Sequence, residues 1–216
     1  GTVYIGSEVP AGQSYFVAID AATGAEQWTK PISQYVSSPA ISQSRNELYV
    51  GGNETLYALS PADGSELWTF DTGEFLRTEP STRDGTVYIG NRDGLYAVSA
   101  ETGDEQWFYD TPANNVADTS QAVLVDAVYL ADGDGVSAVA RDTGEGLWRT
   151  PSSADQLPLA TSNAVYATAG RGSSFEAFST ATGEKLWELE RAVNGRPLFS
   201  EGRLYGGGVN GVYALE

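Results

Sequence analysis

Hydrophobic and polar positions alternate along this chain in short runs, and the runs recur. An apolar–tyrosine pair stands at Val3-Tyr4, Leu48-Tyr49, Val87-Tyr88, Val128-Tyr129, Val165-Tyr166 and Leu204-Tyr205. Each is followed by a second alternating run centred on an alanine, at Ala18, Ala58, Ala97, Ala138, Ala177 and Ala214. β-Branched and aromatic residues with period two, broken by Asp-Gly, Asn-Gly and Gly-Gly, predict strands and tight turns, and no helical period competes.

Two further strands complete each unit. One follows a proline or its equivalent, in SSPAIS around Pro39, TEPSTR around Pro80, TSQAVLV around Gln121, LPLATS around Pro158 and GRPLFS around Pro197. The other is expected to begin at a tryptophan placed four residues after a glycine. All five tryptophans occupy that place: Gly24 with Trp28, Gly64 with Trp68, Gly103 with Trp107, Gly144 with Trp148 and Gly183 with Trp187. Successive tryptophans are 40, 39, 41 and 39 residues apart. A period near 40 built of four short strands points to a stacked array of small sheets, above all a β-propeller of four-stranded antiparallel blades.

Five first, six second, six third and five fourth strands make 22 in this reading of the sequence. The units run over about 1–31 (partial), 32–73, 74–113, 114–151, 152–191 and 192–216 (partial). A closed ring of six four-stranded blades would need more strands and one of five fewer. The chain is therefore expected to be a single propeller domain or propeller fragment: six consecutive units of a larger ring, or a six-unit ring with an imperfect seam. The first is preferred, because the chain starts inside a strand and has no methionine.

The recurring residues have physical reasons to recur. The glycine before each tryptophan suits a turn residue with positive φ. The Thr or Asp preceding it can bond its own turn backbone. Each third-strand alanine leaves room for a large neighbour. The tryptophan is the candidate, burying about 150–250 Å² where one blade meets the next. These ten glycines and tryptophans are read as structural blade-docking positions, and the second-strand tyrosines as packing.

The run GTVYIGNRDGLYAVSAETGDEQW, Gly85 to Trp107, resembles the repeat of the pyrroloquinoline-quinone (PQQ)-like β-propellers, and the likeness recurs over essentially the whole chain. The resemblance implies rings of seven or eight blades. The family includes quinoprotein dehydrogenases that oxidise alcohols or sugars with PQQ and calcium. It also includes non-catalytic members, among them a lipoprotein that assists outer-membrane protein assembly and sensor domains fused to kinases. It thus implies an extracellular or cell-envelope protein, while the sequence itself leaves the cytoplasm open.

Composition narrows this. Cysteine and histidine are both absent, which removes thiolate chemistry, disulfides and the commonest general base and transition-metal ligand. The alcohol-dehydrogenase subclass uses a vicinal disulfide beside PQQ, so no cofactor is expected here. PQQ with Ca²⁺ is the alternative. Asp132-Gly133-Asp134-Gly135 fails as a calcium loop, because Val136 stands where the third oxygen ligand belongs. A turn is expected there. No glycine-rich segment precedes a helix, so no phosphate loop is present.

Twenty-nine Asp and Glu face twelve Lys and Arg, a net charge of −17, and Lys30 and Lys185 are the only lysines. Such a surface repels nucleic acid and anionic lipid, and no run reaches the length of a membrane span. An acid excess with scarce lysine in an aromatic-rich chain resembles the proteins of salt-in halophiles. Function is expected in the residues that differ between units, in the stretches leading into the first strands. The candidates for a mouth of the central channel are Tyr35, Phe75, Arg77, Glu79, Asn114, Asn115, Asp118, Asp155, Asn194 and Arg196. They are read as binding a protein or peptide segment, or a small ligand, with no catalytic and no metal-ligating residue among them. The chain is read as a binding or scaffolding propeller, the alternative being a PQQ-dependent dehydrogenase or a fragment of one.

One prediction follows from charge alone. Screening relieves self-repulsion of the compact state, and the Debye length falls from about 10 Å at 0.1 M salt to about 3 Å at 1 M. The melting temperature should therefore rise steeply between about 0.1 M and roughly 2–3 M KCl. A flat or falling Tm would remove the halophile reading.

Overall fold

The structure is a computed structural model that describes residues 1–7, 12–33, 35–76, 78–111, 121–169, 174–190, 198–200, 203–208 and 211–215, with backbone alone at 155–158, 206–208, 211–213 and 215. Among the described residues there are 22 strands and no helix. The chain divides into two compact units, Gly1–Phe108 and Tyr109–Glu216.

The first unit holds three antiparallel sheets. Sheet 1 is β1 (Thr2–Ser7), β2 (Tyr15–Asp20) and β3 (Glu26–Pro31). Sheet 2 is β4 (Ala40–Ser42), β5 (Glu47–Gly52), β6 (Thr55–Leu59) and β7 (Glu66–Asp71). Sheet 3 is β8 (Ser81–Arg83), β9 (Thr86–Gly90), β10 (Gly94–Ser99) and β11 (Glu105–Asp110), whose last two residues open the second unit. The second unit repeats the plan. Sheet 4 is β12 (Ala122–Val123), β13 (Ala127–Ala131), β14 (Gly135–Ala140) and β15 (Gly146–Pro151). Sheet 5 is β16 (Ala154–Ala160), β17 (Ala164–Ala169), β18 (Ser174–Ser179) and β19 (Lys185–Leu189). Sheet 6 is β20 (Leu198–Ser200), β21 (Arg203–Gly208) and β22 (Gly211–Leu215). In every sheet the strands lie side by side in chain order, as in the blade of a β-propeller.

One row of side chains crosses sheets 1, 2, 4 and 5. Tyr4 pairs with Ala18 and Ala18 with Trp28. Tyr49, Ala58 and Trp68 do the same, as do Tyr129, Ala138 and Trp148, and Tyr166, Ala177 and Trp187. Tyrosine and tryptophan thus stand two strands apart, roughly 9–10 Å in backbone terms. The methyl group between them is small enough for the rings to meet over it. Ring centroids are 5.9, 5.8, 5.8, 5.9 and 5.9 Å apart for Tyr4–Trp28, Tyr49–Trp68, Tyr88–Trp107, Tyr129–Trp148 and Tyr166–Trp187. Such pairs add about 0.5–1.5 kcal/mol beyond the area they bury.

The turn between third and fourth strands is one closed helical turn ended by a left-handed glycine. Gly24, Gly64, Gly103, Gly144 and Gly183 have φ of 72°, 69°, 78°, 74° and 71°. Each donates its N–H to the carbonyl four residues back at 2.9 Å. The Thr or Asp before it accepts from the backbone N–H two residues on, for example Ala25 to Thr23 Oγ1 at 3.3 Å and Ser65 to Asp63 Oδ1 at 3.1 Å. Hydrogen bonds to the turn, led by the Ser65 hydroxyl, hold the Asp63 carboxyl below its ordinary pKa.

The fourth strands do not begin at the tryptophan. They begin two residues earlier, because a β-bulge follows the alanine. Ala18 faces Trp28 but Ile19 faces Glu26, leaving Gln27 over. The shift recurs at Ala58/Leu59, Ala138/Val139 and Ala177/Phe178. It turns the extra residue outward, so Leu67, Leu147 and Leu186 are exposed at each of these sheets.

The tryptophan fastens its sheet to the next. Trp28 Nε1 donates to Pro61 O at 3.0 Å, Trp68 Nε1 to Ala100 O at 2.9 Å and Trp148 Nε1 to Thr180 O at 2.9 Å. Each acceptor lies three residues before the turn glycine of the following sheet. A Cβ on Gly64, Gly103 or Gly183 would stand only 2.6, 2.9 or 2.5 Å from the indole lying on it. Apolar clusters fill the same seams. Phe16, Ala18 and Trp28 pack with Leu48, Val50 and Leu59, and Tyr49, Leu56 and Ala58 with Val87, Ile89 and Val98. In the second unit Tyr129, Val136 and Ala138 pack with Val165, Ala167 and Phe178.

Trp28 and Trp107 are 9% and 8% exposed, whereas Trp187 is 38% exposed. Trp28→Ala and Trp107→Ala should each lower unfolding free energy by about 3–5 kcal/mol in denaturant titrations, the usual cost of truncating a buried tryptophan. Trp187→Ala should cost less than about half of that. Equal losses would mean the indole contacts are not what distinguishes these positions.

Candidate functional site

The segment that leads into each first strand is built by the same device in sheets 2 and 3. Two residues before the proline stands a hydroxyl, Ser37 before Pro39 and Thr78 before Pro80. Ser37 N donates to Gly51 O and Gly51 N to Ser37 Oγ, both at 2.8 Å. Thr78 N donates to Gly90 O at 3.3 Å and Gly90 N to Thr78 Oγ1 at 2.7 Å. The glycine matters here, because a Cβ on Gly51 would stand 3.0 Å from Leu76 and 3.2 Å from Ser37 Oγ. Val36 and Leu76 are buried and anchor the two segments in the core.

Just beyond these anchors the chain brings Tyr35 and Phe75 together. Their ring centroids are 5.2 Å apart with planes inclined by 52°. Tyr35 N donates to Asn53 Oδ1 at 3.1 Å, and Leu76 N donates to Asn53 O at 2.6 Å. Asn53, in the β5–β6 turn at φ 48°, therefore holds both aromatic positions from one side. Phe75 remains 38% exposed and Tyr35 is half-buried. Glu79, half-buried, sits beside the buried Pro80. The result is a small aromatic ledge on a fixed backbone.

The other candidates are not brought to it by described geometry. Arg77, Asn114, Asn115, Asp118, Asn194 and Arg196 lie outside the described residues, and Asp155 lies in β16 with only its backbone described. Asn53, Ser37 and Thr78 were missed by the sequence reading. Their signal was present as a hydroxyl at a fixed distance from the proline, but polar loop residues carry no marker of what they bond.

A cleft of about 280 Å³ adjoins the same segment in sheet 1, lined by Tyr4, Ile5, Gly6, Val36, Ser37, Ser38 and Pro39. A second, of about 310 Å³, is lined by Val125, Asp126, Arg141 and Asp142 in the second unit.

The acidic turn at Asp132 is a turn, with Asp132 N donating to Gly135 O at 3.1 Å and Gly133 at φ 84°. Its carboxylate is wholly buried and held by Arg149, whose Nη2 donates to Oδ1 at 3.1 Å and whose Nη1 donates to Oδ2. The pairing with Asp132 raises the guanidinium pKa. In β18 the buried Glu176 accepts from Lys185 Nζ at 2.6 Å and from the Ser152 hydroxyl. Lys185 also reaches Glu188 at 3.1 Å, which relieves the like charge of Glu176 opposite Glu188. The bond to Glu176 raises the lysine pKa. Breaking one partner of a buried pair is costly, so these charges are committed to the fold. Among the described residues no three acidic side chains converge as a metal ion would need.

Comparisons with known proteins agree with this geometry. Residues 12–216 match the family described as outer membrane protein assembly factor BamB. The crystal structure of BamB from Moraxella catarrhalis covers 100% of this chain, with 70% of its own length matched, at 23% identity and a TM-score of 0.81. A quinohemoprotein alcohol dehydrogenase from Pseudomonas putida covers 79% of the chain, with 39% of its own length matched, at 18% identity and a TM-score of 0.63. A desiccation/radiation resistance protein of Deinococcus radiodurans is 41% identical over 68 residues, 31% of this chain and 12% of that protein. The chain thus spans about an eighth of that relative. At these identities the structural likenesses show a shared fold.

The ledge should be dispensable for folding. Phe75→Ala should change unfolding free energy by about 1 kcal/mol or less, the range for a ring this exposed. A loss as large as that of Trp107→Ala would make Phe75 a packing residue instead.

Proposed function

Because the chain belongs to the family described as outer membrane protein assembly factor BamB, we propose that it is a non-catalytic binding or scaffolding propeller. In this reading it engages an extended protein segment through the loops that enter the first strands. The observation that carries it is the Tyr35–Phe75 ledge. Trp28, Trp68 and Trp148, with the tyrosines beside them and the turn glycines they cover, are consumed in sheet-to-sheet packing. Here two aromatic rings are instead presented on a hydrogen-bonded frame with one ring partly open. Aromatic side chains on rigid backbone are what anchor peptide partners at low entropic cost. The family description supports a place in the cell envelope, alongside proteins bound for the outer membrane. The acid excess supports working conditions of high salt and a partner segment that is neutral or basic.

The quinoprotein alternative has a specific observation behind it, the fold shared with an alcohol dehydrogenase. The residues present fit the group poorly. Calcium-held PQQ needs converging carboxylates, whereas Asp132 and Glu176 are committed to Arg149 and Lys185. No cysteine is available for a vicinal disulfide.

Two measurements, both in high salt, separate the readings. Screened against a panel of extended peptides, the chain should bind a subset saturably. The double variant Tyr35→Ala/Phe75→Ala should lose at least about tenfold in affinity, or about 1.4 kcal/mol, with its melt little changed. Titration with PQQ and calcium should give neither binding nor dye reduction with alcohols or sugars. Saturable quinone binding with turnover would replace the scaffold reading by the dehydrogenase one.

A further inference from the structure

In β18 and β19 two carboxylates face each other and share one cation. Glu176 stands opposite Glu188, and Lys185 Nζ reaches both, at 2.6 and 3.1 Å. A second pair of neighbouring glutamates flanks the Tyr35–Phe75 ledge, and no ion pair among the described residues uses either of them. Glu54 follows Asn53 in the β5–β6 turn, and Glu74 precedes Phe75 in the loop after β7. Thr72 Oγ1 donates to Glu74 O at 2.7 Å and lies 2.9 Å from Glu54 O. Thr72 N also donates to Glu54 O at 2.9 Å, and Leu76 N to Asn53 O at 2.6 Å. The two backbones are thus stitched side by side, and both glutamates are exposed.

Like charges rooted this close repel, and the net charge of −17 adds to the cost. The backbone around them is fixed. Gly73, at φ 72°, donates to Asp71 Oδ1 at 2.9 Å on the approach to Glu74. Asn53 holds the other side at φ 48°, with its Oδ1 taken by Tyr35 N at 3.1 Å. Beside the carboxylates stand two rings with centroids 5.2 Å apart and planes inclined by 52°, and Phe75 is 38% exposed. The face of an aromatic ring is negative at its centre. Carboxylates and rings therefore favour the same group, a cation with a flat, weakly hydrated body. Guanidinium has that form: it stacks on aromatic faces, and its fork of N–H donors matches carboxylates. An ammonium is a compact and strongly hydrated point charge.

We propose that the ledge is an arginine-binding site. An extended segment of the partner seats one arginine side chain against Phe75, with its guanidinium bonded by Glu54 and Glu74. This rests on the reading of the ledge as a peptide site and names the side chain that the site selects. The partner supplies here the cation that Lys185 supplies to Glu176 and Glu188 within the chain.

The probes are fluorescent extended heptapeptides, identical except for a central arginine, citrulline or lysine. Citrulline keeps the shape of arginine and loses its charge. Anisotropy is read at the lowest salt that keeps the protein folded, because screening weakens exposed charges. The arginine peptide should bind at least about fivefold more tightly than the citrulline peptide, with lysine between them. It should also shift the ring resonances of Phe75. In Glu54→Gln/Glu74→Gln the advantage of arginine should fall below about twofold, with citrulline binding unchanged and the melt no lower. In Tyr35→Ala/Phe75→Ala all three peptides should lose affinity. Equal binding of the arginine and citrulline peptides, lost together in Tyr35→Ala/Phe75→Ala, would overturn the arginine site and leave the peptide reading of the ledge standing. Failure of every peptide to bind would overturn both. Arg77, two residues from Phe75, lies outside the described residues. An arginine peptide that binds only in Arg77→Gln would mean that the chain fills the site itself, and would also overturn the proposal.

Discussion

The structure depends on an indole lying against a glycine. Trp28, Trp68 and Trp148 each cover the turn of the following sheet and bond a carbonyl in it. That contact sets conditions in three directions. The turn residue beneath the ring has no room for a Cβ. The residue beside the tryptophan across its own sheet must be small, and is alanine. The space over that alanine is then closed by the tyrosine one strand further on. Tyrosine, alanine, tryptophan and glycine are parts of one joint, which is why they recur together every 39 to 41 residues.

How much of this is legible in a sequence follows from the physics of recurrence. The joint repeats, so its residue types and spacing announce four strands per unit. The bulge after each alanine is invisible to the same reading. It is created by the turn, whose bonds, such as Asp20 N to Ala25 O at 2.8 Å, close the loop and start the fourth strand early. Once the bulge is known, the exposed Leu67, Leu147 and Leu186 make sense as its surplus residues. The pairing of Asp132 with Arg149, 17 residues apart, occurs in one sheet only and carries no periodic mark. Tyr35 and Phe75 were recognisable as unusual residues in variable loops. That they touch depends on Asn53, which reaches them from a neighbouring turn.

The same logic separates fold from function. Residues that recur are spent inside the protein, so an assembly factor and an alcohol dehydrogenase can share this architecture. What distinguishes one protein from another must lie where the units differ. In this chain those places are the loops before the first strands, the acidic exterior, and the two buried ion pairs of the second unit. The ion pairs add rigidity rather than chemistry, since each carboxylate faces a cation held within hydrogen-bonding distance.

The joint also has a direction. Trp28, Trp68 and Trp148 each reach forward along the chain, and the turns of Gly64, Gly103 and Gly183 each receive an indole from behind. A sheet joined in this way is an adaptor with unlike ends, a reaching indole on one side and a receiving turn on the other. For the gene this means that whole units can be copied, lost or exchanged in frame, without inventing a new interface at either junction. A pentapeptide present twice, at Thr2–Gly6 and Thr86–Gly90, is the kind of trace such copying leaves.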